Sequence, residues 1–163
     1  MASASAVLSS PTVERVRQAL ERAGLRADIV ELPGAARTAR AAADFLGCDM
    51  GQIANSLVFH ARTSSRAVLV MSSGARKVGL DALERLVGEP VAKADADFVR
   101  RHTGFVIGGV APTAHGISTV FVEKSLARFD PLWAAAGHPH TVFRLRFDEL
   151  LRLTNGVPAE LAA

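Results

Sequence analysis

Between two β-like runs, residues 105–107 and Thr119–Glu123, the chain reads Gly108-Gly109-Val110-Ala111-Pro112-Thr113-Ala114-His115-Gly116. No other stretch restricts the fold as much. Its three glycines let the backbone enter φ > 0 and approach a neighbour closely. Pro112 fixes one φ and removes one donor. Such a loop can offer bare N–H groups to a carbonyl oxygen or a phosphate, and His115 adds a titratable ring beside them. The same residues also describe a plain strand-to-strand loop with a satisfied, partly buried histidine. The loop alone does not choose between these readings.

The flanking segments supply its setting. Val13, Val16, Leu20 and Ala23 recur at helical spacing, which predicts a helix over residues 13–23 with Gly24 as its stop. Residues 27–31 read as a short strand. Thr38 caps a second helix, Ala39–Leu46, closed by Gly47. Residues 55–60 and 67–71 read as a hairpin, and a polar loop, Gly74-Ala75-Arg76-Lys77, follows it. A short helix over 81–87, an edge strand Val91–Lys93 and a helix capped by Asp95 and running to 101 lead to the central loop. Beyond it, Leu132–Ala135 and residues 141–146 pair around Ala136-Gly137-His138-Pro139. Asp148 caps a last helix over 149–153. Strands cluster mid-chain among short, irregularly placed helices, which predicts α+β with a mixed, curved sheet rather than a regular βαβ array.

The 163 residues suit one domain, taken as 13–163, behind a frayed Ala/Ser-rich tail, 1–12. That tail lacks the basic start of a signal peptide. No apolar run approaches the roughly 18 residues of a membrane span. A single cysteine, Cys48, excludes an internal disulfide and suits the cytoplasm. The formal net charge is +3, and only three of the nineteen basic residues are lysines. Arginine favours bidentate phosphate contact, although an Ala- and Arg-rich composition explains most of the bias. No block of like charge suggests non-specific coating of nucleic acid.

The common nucleophile and nucleotide signatures are absent. His138-Pro139-His140 reads as a turn rather than a zinc site, and Cys48 as a small buried hydrophobe. Neither metal nor cofactor is expected. Three loops can converge: 74–77, 108–116 and 136–138. Together they suit an anion or an ester carbonyl, held without a strong protein nucleophile.

Gly108-Gly109-Val110-Ala111-Pro112-x-x-His115 resembles the Gly-Gly-Val-Ser-Pro-Phe-Gly-His signature of the YbaK/ProX family, the aminoacyl-tRNA editing deacylases related to the editing insertion of bacterial prolyl-tRNA synthetase. Thr38 with its alanine-rich helix, Ser56-Leu57-Val58-Phe59, Gly74-Ala75-Arg76, Thr103-Gly104, Ala135-Ala136-Gly137 and Leu150-Leu151-Arg152-Leu153-Thr154 follow in the family's order. The resemblance implies a compact α+β domain with a barrel-like sheet and flanking helices. It implies hydrolysis of the ester joining a wrong amino acid to a tRNA, acting in trans in the cytoplasm. The partners it implies are the aminoacyl-tRNA 3′ acceptor end and an aminoacyl-tRNA synthetase. The residues it assigns to catalysis are Gly108, Gly109, Asn55 and His115. Those it assigns to substrate contact are Thr38, Gly74, Arg76, Lys77, Pro112, Thr113 and Gly137. The family lysine before the Ser-Leu-Val-Phe run is Asn55 here, while Thr113 and Ala114 replace its Phe and Gly. A non-catalytic module that binds an aminoacyl-tRNA end or a related small ligand is the alternative, and a small-substrate esterase a third reading.

Overall fold

The computed structural model of the chain describes residues 5–34 and 36–163. Residues 1–4, the start of the expected tail, lie outside the described residues. The first helix, α1 (Pro11–Arg22), begins two positions earlier than the periodicity predicts. Pro11 explains this, because proline's fixed φ and missing N–H suit a first helical turn. Val13, Val16 and Leu20 are fully buried on one face. The expected strand 27–31 shrinks to β1 (Val30–Glu31). Helix α2 (Ala39–Leu46) forms where its cap predicts: the Thr38 hydroxyl accepts from the Ala41 N–H at 3.0 Å, and Gly47 ends the helix at φ +70°.

A 3₁₀ turn, Met50–Gln52, leads into the hairpin of β2 (Ile53–Ala61) and β3 (Ala67–Ser73). Helix α3 (Leu80–Val87), strand β4 (Val91–Lys93) and helix α4 (Ala96–Thr103) follow. After the central loop come β5 (Thr119–Glu123), a second 3₁₀ turn, β6 (Leu132–Ala135), β7 (Thr141–Leu145), helix α5 (Phe147–Thr154) and β8 (Val157–Ala159).

Three expectations need correction. Residues 105–107 form no strand: Gly104 ends α4 at φ +76°, and the chain turns at once, with the Gly109 N–H donating to the Val106 carbonyl. Asp148 is not the cap of α5 but a first-turn residue; Arg146 holds the cap position, and Glu149 accepts from its backbone N–H. The C-terminal strand β8 was not expected at all.

The sheet is mixed, curved and open, in the order β1-β7-β6-β2-β3-β5-β8, with β4 attached to β2. Val68, Leu69, Val70 and Met71 of β3 are all fully buried. They form the continuous apolar run of a strand covered on both faces. One face, with Val58, Leu69 and Met71, packs on Val16 and Leu20 of α1, Phe98 of α4, Phe105 and Phe143. The other, with Phe59, Val68 and Val70, packs on Leu83 and Leu161. A third cluster joins Ala42 and Ala43 of α2 to Ile53, Leu32 and Val142.

The pairing of β2 is lopsided. On one edge it runs antiparallel to β3 through seven residue pairs, from Ala54↔Ser73 to His60↔Ala67. On its other edge β6 pairs only with Ile53 and Ala54, and β4 only with Phe59, His60 and Ala61. Backbone groups alternate between the two edges along a strand. The Ile53 carbonyl and the Ala61 N–H bond on the β3 side, whereas the Val58 carbonyl accepts from Ala94 on the other. Ser56 therefore turns its N–H and C=O into the gap between β6 and β4, where no strand meets them.

Asp95 helps to keep that gap open. Its side chain accepts from the Phe98 N–H at 2.8 Å and starts α4, which turns the chain away from β2 just past Ala94. Asp95→Ala is expected to cost about 1 kcal/mol of stability, the usual value of such a cap. A lowered urea midpoint with an unchanged m-value checks this.

Candidate functional site

A cleft of about 500 Å³ opens where β2 lacks a partner. Ile53 to Leu57 line it on one side, and Ala36 to Ala39 with Ala42, before and within α2, line it on another. Ile107, Gly108 and Val110 of the central loop, Trp133 and Ala135 of β6, and Pro139 to Val142 complete the wall. The sequence foresaw three of these residues as site residues: Thr38, Asn55 and Gly108.

Asn55 lies within β2, half-buried, so it does not cap the preceding turn. Asp49 and Gln52 already cap that turn reciprocally: Asp49 accepts from the Gly51 N–H, and Gln52 accepts from the Asp49 N–H. The Asn55 side chain makes no hydrogen bond among the described residues, and its amide is left available in the cleft. The Thr38 hydroxyl, by contrast, is committed to the helix cap.

The glycine loop is held in place by close approach. Gly108 sits at φ +86°, where a side chain is strained. A Cβ on Gly109 would meet the His138 backbone and Pro139 at 3.0 Å. The loops 108–116 and 136–139 therefore do converge. The Gly109 N–H is tied to the Val106 carbonyl at 2.9 Å. The N–H groups of Gly108 and Val110, which line the cleft, have no partner among the described residues.

The remaining expected residues do not line the cleft. His115 is 8% exposed, and its Nδ1 accepts from the Ile117 N–H at 2.9 Å. Burial pushes its pKa below the ordinary histidine value, while a hydrogen bond toward the Pro112 carbonyl acts the other way. The ring is thus a neutral staple across its own loop, and Pro112 and Thr113 belong to the stapled segment. A Cβ on Gly137, at φ +101°, would meet the Thr12 carbonyl at 2.7 Å, so that glycine lets α1 pack on the β6–β7 turn. One on Gly74 would meet the Ala39 Cβ and the Met50 carbonyl, both at 2.7 Å, which seats the end of β3 under α2. Arg76 and Lys77 are exposed beyond that point.

The cations that line the cleft are instead Arg37 and Lys93. Both are exposed, and neither forms a salt bridge among the described residues. Among the described residues no carboxylate lines the cleft. Cys48 lies outside it, and burial followed by the Asp49 charge pushes its thiol up, away from the reactive thiolate. His140 faces the cleft while His138 does not, and among the described residues no group of three or more ligands could hold a metal ion. Sequence reasoning missed Arg37, Lys93, Ile107 and Trp133. Arg37 had a signal, since it adjoins the Thr38 cap.

A second cleft, of about 340 Å³, lies between β7 and α5. Its charges are of both signs, with Arg26, Arg144 and Arg146 beside Asp28 and Glu149. No described helix is long and apolar enough to cross a membrane.

Residues 34–153 match the family model described as the aminoacyl-tRNA editing domain. The fold is similar to the crystal structure of a candidate trans-editing enzyme for prolyl tRNA synthetase. The two are 40% identical with a TM-score of 0.88, over 94% of this chain and 98% of that one. Hypothetical protein APE2540 shares the fold at a TM-score of 0.83 and 24% identity, over 91% of this chain and 99% of its own. In sequence the chain is 28% identical over 125 residues to uncharacterized protein YwhH of Bacillus subtilis (strain 168), which covers 76% of this chain and 78% of that protein.

The state of His115 has a measurable consequence. Unfolded, the ring titrates near about 6.5; folded, its pKa is depressed. Below about pH 6.5 the unfolded chain binds the extra proton, so stability is present above that pH and is lost as pH falls through the folded value. His138, pushed down by burial and by His140, adds to the same slope. The urea midpoint is expected to fall between about pH 7 and pH 5, and His115→Asn, which can accept from Ile117 without titrating, to flatten that fall. Parallel wild-type and variant curves would assign the slope elsewhere.

Proposed function

The chain belongs to the aminoacyl-tRNA editing domain family, and on that premise we propose that the cleft at the open edge of β2 binds the aminoacylated 3′ end of a tRNA and hydrolyses its ester. The activity is that of an aminoacyl-tRNA deacylase acting in trans. Water attacks the ester carbonyl carbon, the bond from that carbon to the ribose oxygen breaks, and a water proton passes to the ribose oxygen. A free amino acid and a deacylated 3′ end result. A tRNA substrate fits work in the cytoplasm, where tRNA is charged.

The observation that carries this reading is the make-up of the cleft. It holds unpaired cations at its mouth, free amides within, and neither a carboxylate nor an activated thiol to act as nucleophile. Arg37 and Lys93 meet acceptor-end phosphates. The N–H groups of Gly108 and Val110 stabilise the negative charge that grows on the carbonyl oxygen. Asn55 orients the attacking water or a ribose hydroxyl through its amide, which donates and accepts without bringing charge. Gly109 acts through placement, seating the loop against His138. The alternative, a module that binds without cleaving, shares the cleft and differs in showing no turnover.

Two experiments test the assignments. Arg37→Ala with Lys93→Ala is expected to weaken tRNA binding and to lower the slope of log K against log salt by roughly 1 to 2, while Arg76→Ala with Lys77→Ala changes the slope less. The reverse ranking would move the phosphate contacts to the end of β3. Asn55→Ala is expected to reduce turnover on the order of 10²-fold, as misplacing a reacting group does, with little change in thermal midpoint. Asn55→Asp is expected to be as harmful. Full turnover by either variant removes Asn55 from the chemistry, and binding without turnover by the wild type supports the non-catalytic reading.

A further inference from the structure

On the deacylase reading above, we propose that the aminoacyl group docks as a single strand residue in the gap of the sheet, paired with the backbone of Ser56. The gap is a built feature. On one edge β2 is held by β3 through seven residue pairs. On the other, β6 ends its pairing at Ala54, and β4 begins its own at Phe59. The alternation of bonds along β2 leaves the Ser56 N–H and C=O pointing between those strands, with no partner among the described residues. Both groups belong to a residue that lines the cleft. The Ser56 hydroxyl takes no part, since it points to the Met71 sulfur at 3.3 Å.

Ser56 is half-buried in the cleft wall, and backbone groups that no strand meets take water or a ligand as their partner. An α-aminoacyl ester supplies the complement. In an antiparallel pair, two opposed residues exchange both of their N–H···O bonds. An amino acid esterified to ribose keeps one half of that pattern on each side of its Cα. Its α-amino group donates to the Ser56 carbonyl, and its ester carbonyl oxygen accepts from the Ser56 N–H. This is strand addition reduced to one residue. It fixes both ends of the substrate's Cα while leaving the side chain to the pocket wall, so it reads the class "α-amino acid" without reading which one. It also adds a donor to the oxygen on which charge develops during water attack.

The test varies the substrate first. The aminoacyl-tRNA that a mischarged panel shows to be cleaved fastest is compared with its deamino counterpart on the same tRNA, such as alanyl against propionyl. Each rate is divided by the spontaneous hydrolysis rate of its own ester. A site built around a donor rejects an analogue that lacks it, and the deamino ester is expected to lose on the order of 10- to 100-fold in kcat/KM. Equal normalised rates overturn this proposal and leave the deacylase reading intact. A panel with no cleaved ester overturns that reading, and this proposal with it.

A second arm removes the donor from the protein. Proline fits a strand where the N–H faces no ladder partner, so Ser56→Pro is expected to fold with a thermal midpoint near the wild type's. It is expected to lose on the order of 10²–10³ in kcat, as removal of an oxyanion donor does. A folded Ser56→Pro protein with wild-type kcat overturns the pairing. If that variant does not fold, the wild-type comparison of the two esters decides the matter alone.

Discussion

The ladder between β2 and β3 sets the geometry of everything around the cleft. It places Asn55 opposite Ser72 and Ser56 opposite Met71, and so decides which residues of β2 face the core and which backbone groups face outward. Its open end is pinned where the Gly74 N–H bonds to the Ile53 carbonyl at 2.7 Å and the Ser73 hydroxyl donates to the Gly51 carbonyl at 3.1 Å, and its hairpin end where the Ala61 N–H bonds to the Arg66 carbonyl at 2.9 Å. A slip by one residue would turn Val58 and Leu57 to opposite faces and expose the core pattern. With β2 fixed, the two short strands on its other edge determine the site by where they stop. An unpaired edge is usually a hazard for aggregation. Here it is recessed, between a helix start, a glycine loop and the β6–β7 turn, so only something small enough to enter the cleft can reach it.

The cleft's chemistry follows from what surrounds it. Carboxylates near an ester would repel the developing oxyanion, and none lines this cleft. Cys48 and His115 lie outside the cleft's lining, and both are disarmed by their own surroundings. Cys48 is kept as a thiol by burial and by Asp49. His115 spends both ring nitrogens on its own loop. The described lining offers backbone N–H groups, the Asn55 amide and the His140 ring, and on the proposed reading the first two act by preorganised hydrogen bonding rather than by covalent attack.

The sequence was most readable where the determinants are local. Thr38, Asp95, Gly24 and Gly47 mark helix ends, because caps and left-handed stops are set by a few neighbouring residues. The hairpin was visible because β-branched and apolar residues concentrate in both arms. Phe105-Val106-Ile107 imitated a strand, yet Phe105 is buried while Val106 and Ile107 are about half exposed, a pattern set by the turn that Gly109 closes. That the cleft is lined by Arg37 and Lys93 rather than by Arg76 and Lys77 was hidden for a different reason. Lys93 joins the cleft only because β4 pairs with β2 at Phe59, a contact between distant segments that no local pattern announces. His115 and Gly137 drew notice in the sequence because they are rare residues in a loop. The structure shows each meeting a packing demand, in the staple across residues 112–117 and in the approach of Thr12.

A neutral Asn55 within β2 fits this division of roles. A lysine within β2 would place its charge inside a half-buried strand, at a desolvation cost that only a bound anion offsets. With Asn55 there, the charge moves to Arg37 and Lys93, where it stays hydrated in the free protein. Exposed charges are screened by salt over about 10 Å, yet they still act on phosphates that come into contact. The interior is left neutral, so no fixed cation there repels an ammonium group that enters the cleft. Ala114, held at φ +62°, where a glycine would sit without strain, shows the opposite economy. The loop keeps its left-handed turn there even though an alanine must bear the strain, because the staple of His115 and the glycines at 108 and 116 already fix the path on either side.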